Sequence, residues 1–231
     1  MIEVSHLSKF YGAQKVLDDL SFTLHPGQVV GLLGQNGAGK TTLLKILTGL
    51  VKNYIGDVRV CGQALGIETK KITAYNPDHS MYPPNSHAMQ LIGFYQDFFK
   101  DFDRNKALEL LQAFKIPLKH PLKSLSKGTQ EKLQLILTLS RNAQVFVFDE
   151  PLGGVDLLAR LEILNLIVQQ CNKQATLLLS THLLLDVQSH LAMAMFIQSG
   201  HIIALEKVEI LQEKHGSLKQ AYQDLLNAQG F

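Results

Sequence analysis

The sequence contains no tryptophan, only two cysteines and little net charge. Cys61 and Cys171 lie far apart and form no C-x-x-C pair. The sequence therefore indicates neither a zinc ribbon nor a redox motif, and it favours buried, reduced thiols in the cytosol. The formal charge of +2 comes without a run of lysine and arginine. We therefore expect no nucleic-acid partner.

Long hydrophobic segments and targeting signals are also missing. The apolar run 191–197 is far shorter than the roughly 20 residues that cross a bilayer. Residues 1–6 show no basic segment followed by an apolar one, so we expect no secretory signal and a cytoplasmic protein. The nine histidines lack the H-E-x-x-H and related spacings that indicate a metal site.

The remaining composition is typical of a globular α/β protein. With 231 residues, of which 46% are hydrophobic and 18% charged, we expect a single domain with an embedded subdomain. Residues 1–78 and 136–231 alternate strand and helix patterns, whereas residues 79–135 have helical periodicity and no strand signal. The sequence therefore predicts an α/β core with an inserted helical subdomain.

One short segment matches the phosphate-binding pattern G-x-x-x-x-G-K-[ST]. It consists of Gly34, Gln35, Asn36, Gly37, Ala38, Gly39, Lys40, Thr41 and Thr42. Its glycines let successive backbone N–H groups converge on phosphate oxygens, where a β-carbon would block the approach. Lys40 is placed to reach the outer phosphates, and the Thr41 hydroxyl is placed to hold Mg²⁺. An apolar strand at 29–33 precedes the segment, and a helix predicted from Gly39 through Leu50 follows it.

The first part of the chain predicts short strands. Residues 2–24 alternate apolar and polar positions around a turn at 11–13, which indicates two antiparallel strands. Tyr11 either stacks on a purine or closes a half-buried strand end. Further strands are predicted at 56–62 and 72–75, the second ending before the Pro77-Asp78 pair.

The helical subdomain shows its own periodicity. One helix is predicted with a shared face of Met89, Ile92, Gly93, Gln96 and Phe99, and a second with Leu108, Leu111 and Phe114. Ser126 is the expected N-cap of the helix that leads back into the core.

A second chemical feature is the apolar strand 145–148, which ends in Asp149 and Glu150. Because ligands bind at the carboxyl ends of parallel strands, both carboxylates should lie beside the phosphates. Asp149 can hold a water on Mg²⁺, and Glu150 can orient or deprotonate an attacking water.

After a helix at 157–170 and a strand at 176–180, His182 should reach the same edge, where it can hydrogen-bond the γ-phosphate. A hairpin at 193–205 and an amphipathic helix near 218–226 end the pattern.

In this order, the motifs resemble the ATP-binding subunit of an ABC transporter over almost the whole chain. Tyr11 matches the adenine-stacking aromatic residue, Lys40 with Thr41 matches the phosphate loop, and residues 125–128 resemble the family signature. Asp149 and Glu150 match the Mg²⁺ and base positions, and His182 matches the switch histidine. Residues 153–156 resemble the loop that crosses to the partner subunit.

The resemblance implies a P-loop NTPase core with a mostly parallel sheet, an N-terminal antiparallel β subdomain and the inserted helical subdomain. It implies ATP hydrolysis with Mg²⁺, with Asp78 as a further contact of the ion. It also implies a head-to-tail dimer, in which Ser126 and Gly128 of one subunit bind the γ-phosphate of ATP held by the other. A separate transmembrane permease would hold the subunit on the inner face of the cell membrane.

The chain departs from the family pattern in three places. Lys127 and Thr129 replace a glycine and a glutamine of the signature, Asp78 stands where a glutamine is usual, and residues 152–155 differ from the common sequence. Lys127 and the compact helical insertion are similar to the branch that exports drugs, antibiotic peptides and lipids.

Three alternatives to an exporter ATPase remain open. The ATPase of an importer is one, and only the resemblance to the export subfamily separates it from the ATPase of an exporter. A soluble ABC protein acting on ribosomes or DNA usually has two cassettes in one chain or a long coiled-coil insertion, neither of which this sequence shows. A regulatory module that holds ATP without turnover is disfavoured by Glu150 and His182.

Overall fold

The computed structural model describes residues 1–153 and 157–229 of the protein. The strands in these residues are β1 (Ile2–Tyr11), β2 (Gln14–Leu24), β3 (Val29–Leu33), β4 (Ile55–Val60), β5 (Gln63–Ala64), β6 (Thr73–Asn76), β7 (Val145–Asp149), β8 (Thr176–Thr181), β9 (Met193–Gln198) and β10 (His201–Lys207). The helices are α1 (Lys40–Leu47), α2 (Ile67–Ile72), α3 (Ala88–Phe98), α4 (Arg104–Ala113), α5 (Lys127–Leu139), α6 (Leu157–Gln170), α7 (Leu184–Val187), α8 (Val208–His215) and α9 (Leu218–Gln229). No helix within these ranges is long and apolar enough to cross a membrane.

The strands form two sheets. The smaller sheet is antiparallel, with strand order β2-β1-β4-β5. The larger sheet has the order β10-β9-β3-β8-β7-β6, and only its edge strand β10 runs antiparallel to its neighbour. The strand that leads into the phosphate-binding segment, β3, therefore lies at the centre beside β8, and β8 lies beside β7. This confirms the predicted fold class and brings the ends of these three strands to one edge.

The centre of the larger sheet is fully buried. Every residue of β7 and β8 is buried, and the rings of Phe146 and Phe148 stack 6.2 Å apart. One cluster of buried side chains packs the sheet against the helices of the helical segment and the C-terminal helices, and a second fills the space between the two sheets and α1. Burial on both faces explains why these strands are continuous apolar runs in the sequence.

Residues 79–135, all of which the structure describes, contain α3, α4 and most of α5 but no strand. Arg141, just after α5, ties this helical segment to the sheet. Its guanidinium donates to both carboxylate oxygens of Asp101 at 3.0 Å and to the Thr73 carbonyl at 2.8 Å. It also lies 3.9 Å from the ring centroid of Phe99. Because Arg141 is only 4% exposed, these contacts are shielded from water.

Some local predictions were wrong. Leu50 lies outside α1 and is half exposed, because Gly49 adopts a φ of +69° after the helix ends at Leu47. In α3 the buried residues are Ala88, Leu91 and Ile92, while Gln96 is exposed. Ile92 is buried as predicted and Met89 packs against the core, but Gln96 does not share that face, because the many apolar residues of α3 allow more than one apolar stripe. The short helices α2 and α8 were not predicted, because their two and three apolar residues are too few to show a helical periodicity.

Candidate functional site

The phosphate-binding segment lies between the end of β3 and the start of α1, and two of its glycines are required by their surroundings. A β-carbon on Gly34 would lie 2.3 Å from the carbonyl oxygen of Ile197 on β9. Gly39, the N-cap of α1, has a φ of +108°, and a β-carbon there would lie 2.7 Å from Leu17 Cδ2. Both positions therefore need glycine, and the backbone between them opens onto a cleft.

Lys40 is the first residue of α1, one residue later than the predicted helix start, and it points back into the segment. Its side chain is 5% exposed, and Nζ donates to the carbonyl oxygens of Gly34 at 2.8 Å and Gln35 at 3.1 Å. The same nitrogen lies 3.1 Å from Glu150 Oε1. The cation thus lies between the loop and the acidic end of β7, where it can meet a phosphate oxygen.

Thr41 and Asp149 come together from distant parts of the sequence. Thr41 Oγ1 donates to Asp149 Oδ1 at 3.1 Å, and Ser180 Oγ donates to the same oxygen at 2.8 Å. Burial is the largest influence on the pKa of Asp149 and raises it, while these two hydrogen bonds lower it. A hydroxyl beside a carboxylate suits Mg²⁺, which completes its shell with waters and phosphate oxygens.

Glu150 and His182 face each other at the ends of neighbouring strands. Glu150 Oε2 lies 3.0 Å from His182 Nδ1, while its Oε1 meets Lys40. The backbone of Glu150 has a φ of +46°, and its N–H donates to Ser180 Oγ at 3.0 Å. A left-handed backbone at a residue other than glycine costs on the order of 1 kcal/mol, which the surrounding contacts offset. The turn holds the carboxylate between a cation and an imidazole, an arrangement that can orient a water.

The phosphate-binding segment and Glu150 line one open cleft of about 400 Å³. Along the segment the lining includes Asn36, Gly37 and residues 39–42, and it also includes Asp78. Asp78 follows β6, and its Oδ2 lies 3.2 Å from His79 Nε2. Within residues 1–153 and 157–229, no group of three or more His, Cys, Asp or Glu is arranged to hold a metal ion.

Other predicted site residues lie away from this cleft. Ser126 is the N-cap of α5, as predicted, and its Oγ accepts the Thr129 N–H at 3.2 Å; neither Ser126 nor Gly128 lines the cleft. Tyr11 is 49% exposed at the end of β1, with Lys9 Nζ 4.7 Å from its ring centroid, and it also lies outside the cleft lining. Residues 154–156 of the predicted partner-crossing loop lie outside the described residues.

Two residues that hold Asp149 were not predicted from the sequence: Ser180 and Tyr75. The pairing of β7 with β8 sets Asp149 opposite Ser180. The Tyr75 hydroxyl donates to Asp149 Oδ2 at 3.4 Å, and burial, followed by the nearby Asp149 carboxylate, raises the pKa of Tyr75. A polar residue near the end of an apolar strand was an available signal for Ser180, whereas no local pattern marks Tyr75.

A second concave surface lies between the larger sheet and the helical segment. This groove has a volume of about 210 Å³, and its lining includes Lys70 of α2, Tyr95 of α3 and Arg141. On α3, Phe94 and Phe98 are 50% and 68% exposed, with ring centroids 4.5 Å apart. The ring centroid of Phe94 lies 6.3 Å from that of Tyr95, which lines the groove. Clusters of exposed large apolar side chains are typical of an interaction surface.

Comparisons with known proteins agree on one family. Residues 17–153 match the family model described as ABC transporter. An uncharacterized ABC transporter ATP-binding protein of Methanocaldococcus jannaschii is 31% identical over 92% of this chain and 80% of its own. The zinc import ATP-binding protein ZnuC of Hydrogenovibrio crunogenus is 35% identical over 72% of this chain and 66% of its own. The lipopolysaccharide export system ATP-binding protein LptB of Escherichia coli is 27% identical over 96% of both chains. A solved ATP-binding subunit of an ABC transporter has a TM-score of 0.87 at 28% identity, covering 97% of this chain and 98% of that one.

Proposed function

The chain belongs to the ABC transporter family as an ATP-binding subunit, and we propose that it hydrolyses ATP to drive export through a separate membrane permease. The observation that carries the catalytic proposal is the position of Glu150. Its two carboxylate oxygens lie 3.1 Å from Lys40 Nζ and 3.0 Å from His182 Nδ1, at the edge of the phosphate-loop cleft. A carboxylate held there can accept the proton of a water that attacks the γ-phosphate, with His182 beside the same phosphate.

The phosphate loop from Gly34 to Thr42 binds the phosphates of ATP, and Tyr11 stacks on the adenine. Thr41 would hold Mg²⁺ with its hydroxyl, and Asp149 would hold a water on the ion, since the two groups already lie 3.1 Å apart. Asp78 contacts the ion or one of its waters from the facing side of the cleft. When bound, the ion offsets the negative charge of the phosphates.

Two subunits assemble head to tail around ATP. Ser126 and Gly128 lie at the N-terminal end of the 13-residue helix α5, outside their own cleft. A β-carbon at Gly128 would meet nothing within 4 Å, so this surface is open. Because the first N–H groups of a helix bind anions, this end serves the γ-phosphate bound by the partner subunit. ATP then stabilises the dimer, and hydrolysis releases it.

The groove between the sheet and the helical segment receives a short helix of the permease, which holds the subunit on the inner face of the membrane. The exposed Phe94 and Phe98 support this assignment. Export is proposed because Lys127 in the signature and the compact helical subdomain resemble the export branch. The relatives include one named for import and one for export. A solute-binding protein encoded beside this chain would favour import instead.

The test of the nucleotide site compares two lysines of α1. Lys40→Ala removes the cation that faces the cleft, whereas Lys45→Ala removes an exposed cation from the same helix. We expect Lys40→Ala to weaken ATP binding by about 10- to 100-fold or more, because charge-assisted hydrogen bonds to the phosphates are lost. Isothermal titration should show parent-like affinity for Lys45→Ala. Parent-like affinity for Lys40→Ala would contradict the assignment.

A further inference from the structure

The C-terminal helix α9 contacts the strand that supports the phosphate loop. Tyr222 of α9 is 6% exposed, and its ring stacks on Phe196 with a centroid distance of 5.3 Å. The Tyr222 hydroxyl donates to Gln198 Oε1 at 2.7 Å. Phe196 and Gln198 both belong to β9, so one side chain of α9 holds the end of that strand at two points.

The end of β9 in turn packs against the phosphate loop. In the parallel pairing of β3 with β9, Phe196 lies opposite Leu33, the residue before the loop. Gly34 lies so close to the Ile197 carbonyl that no β-carbon fits between them. Beyond the turn, the Gly200 N–H donates to the Ala38 carbonyl at 3.1 Å. The segment 196–200 therefore contacts the loop both at its start and near its middle.

The loop peptide that follows Gly34 also contacts the lysine of the cleft. Burial raises the pKa of the Tyr222 phenol, and the backbone of Gln35 acts in the opposite direction. The carbonyl of Gln35 accepts from Lys40 Nζ at 3.1 Å. Lys40 Nζ also donates to the Gly34 carbonyl at 2.8 Å, so the backbone at the start of the loop is in contact with the lysine that faces the cleft.

The helix that carries Tyr222 is itself anchored. Asp224, two residues further along α9, accepts from Gln220 Nε2 at 2.8 Å and lies 2.7 Å from His215 Nδ1 at the end of α8. Leu218 and Ala221 are fully buried in the core. A side chain on a helix fixed in this way can restrict the loop that it contacts.

We propose that Tyr222 is a positioning residue for the phosphate loop, which holds the backbone of Gly34 and Ala38 through the end of β9 and so favours binding of the nucleotide phosphates. The inference rests on the proposed ATP-binding function. It extends nucleotide binding to a helix beyond residues 17–153, which match the family model. The physical basis is preorganisation, because a loop already held in its binding geometry loses less freedom when the ligand binds.

The experiment removes the hydroxyl and keeps the ring, with Tyr222→Phe. We expect the Kd for ATP, measured by isothermal titration, to rise about 3- to 10-fold, because one buried hydrogen bond is lost. The KM for ATP should rise with it, while kcat at saturating ATP stays within about twofold. Gln198→Met should raise the Kd for ATP in the same way. The double variant should bind ATP no more weakly than the single variant of lower affinity, since both substitutions remove the same hydrogen bond.

The matched control is Tyr82→Phe. It removes another buried phenol oxygen, which lies 2.7 Å from its partner, Tyr95 Oη, in the helical segment. If Tyr222→Phe lowers the unfolding temperature as Tyr82→Phe does but leaves the Kd for ATP unchanged, its role is only structural and the proposal is overturned. An effect on kcat alone overturns it too. Failure of the proposed function gives a different result, because the parent and Lys40→Ala would then bind ATP equally weakly.

Discussion

His182 Nδ1 lies 3.0 Å from Glu150 Oε2, and this contact joins the ends of two paired parallel strands. Glu150 follows β7 and His182 follows the last residue of β8, so the sheet itself brings them together. The other carboxylate oxygen of Glu150 meets Lys40 of the phosphate loop. Glu150 is therefore the residue through which the loop and the histidine are connected.

We expect Glu150→Gln to separate ATP binding from hydrolysis. The amide is nearly isosteric but cannot accept the proton of an attacking water, so turnover should fall by about 10²- to 10⁴-fold. The phosphate loop, Thr41 and Asp149 remain, so ATP binding should persist. The variant should also accumulate as an ATP-dependent dimer in size-exclusion chromatography with light scattering.

The outcomes of this experiment separate two parts of the proposal. Hydrolysis at the parent rate would exclude Glu150 as the base. A slow variant that stays monomeric with ATP would instead exclude the ATP-sandwiched dimer and leave the catalytic assignment standing.

Thr41→Val should raise the Mg²⁺ requirement. The substitution removes the hydroxyl that lies 3.1 Å from Asp149 Oδ1 and nearly preserves volume. We expect the Mg²⁺ concentration for half-maximal ATP hydrolysis to rise on the order of 10-fold or more, as for other changes around bound metals. The control is Thr23→Val, which makes the same change at an exposed position of β2. Identical Mg²⁺ dependence in the two variants would argue against Thr41 as a ligand.

A cysteine on the exposed side of α3 should capture the permease. In Phe98→Cys the thiol replaces a ring that is 68% exposed on α3. Cross-linking to a co-expressed permease should occur at this position and not with Gln223→Cys, at an exposed position of α9. The parent protein corrects for the native Cys61. Capture only from positions in 205–231 would place the coupling surface elsewhere.

Arg141→Met should strongly destabilise the fold. It leaves Asp101, whose side chain is 24% exposed, without its bidentate partner and removes a donor to the Thr73 carbonyl. Breaking a buried ion pair from one side costs about 3–5 kcal/mol of unfolding free energy. Arg59→Met, which breaks an exposed pair with Asp57, should change it by less than about 1 kcal/mol. Urea unfolding of both variants measures the difference, and equal losses would contradict the structural role of Arg141.

The sequence by itself determined the order of the chemical motifs and the class of fold. The phosphate loop is a set of residue types at fixed short spacing, and the acidic strand end is an apolar run followed by two carboxylates. Such local patterns can be recognised without knowledge of the fold, because the backbone conformation that they require involves only a few neighbouring residues. The buried parallel strands were predictable for a related reason, since burial on both faces makes them continuously apolar.

Only the tertiary structure decided which distant residues support the site. Ser180 holds Asp149 because β7 and β8 pair in one particular register, and a shift by a single residue would turn it to the other face. Tyr222 reaches Gln198 because α9 packs beside the end of β9. These contacts depend on strand order, register and helix packing, which are set by the whole core together, so no local stretch of sequence encodes them.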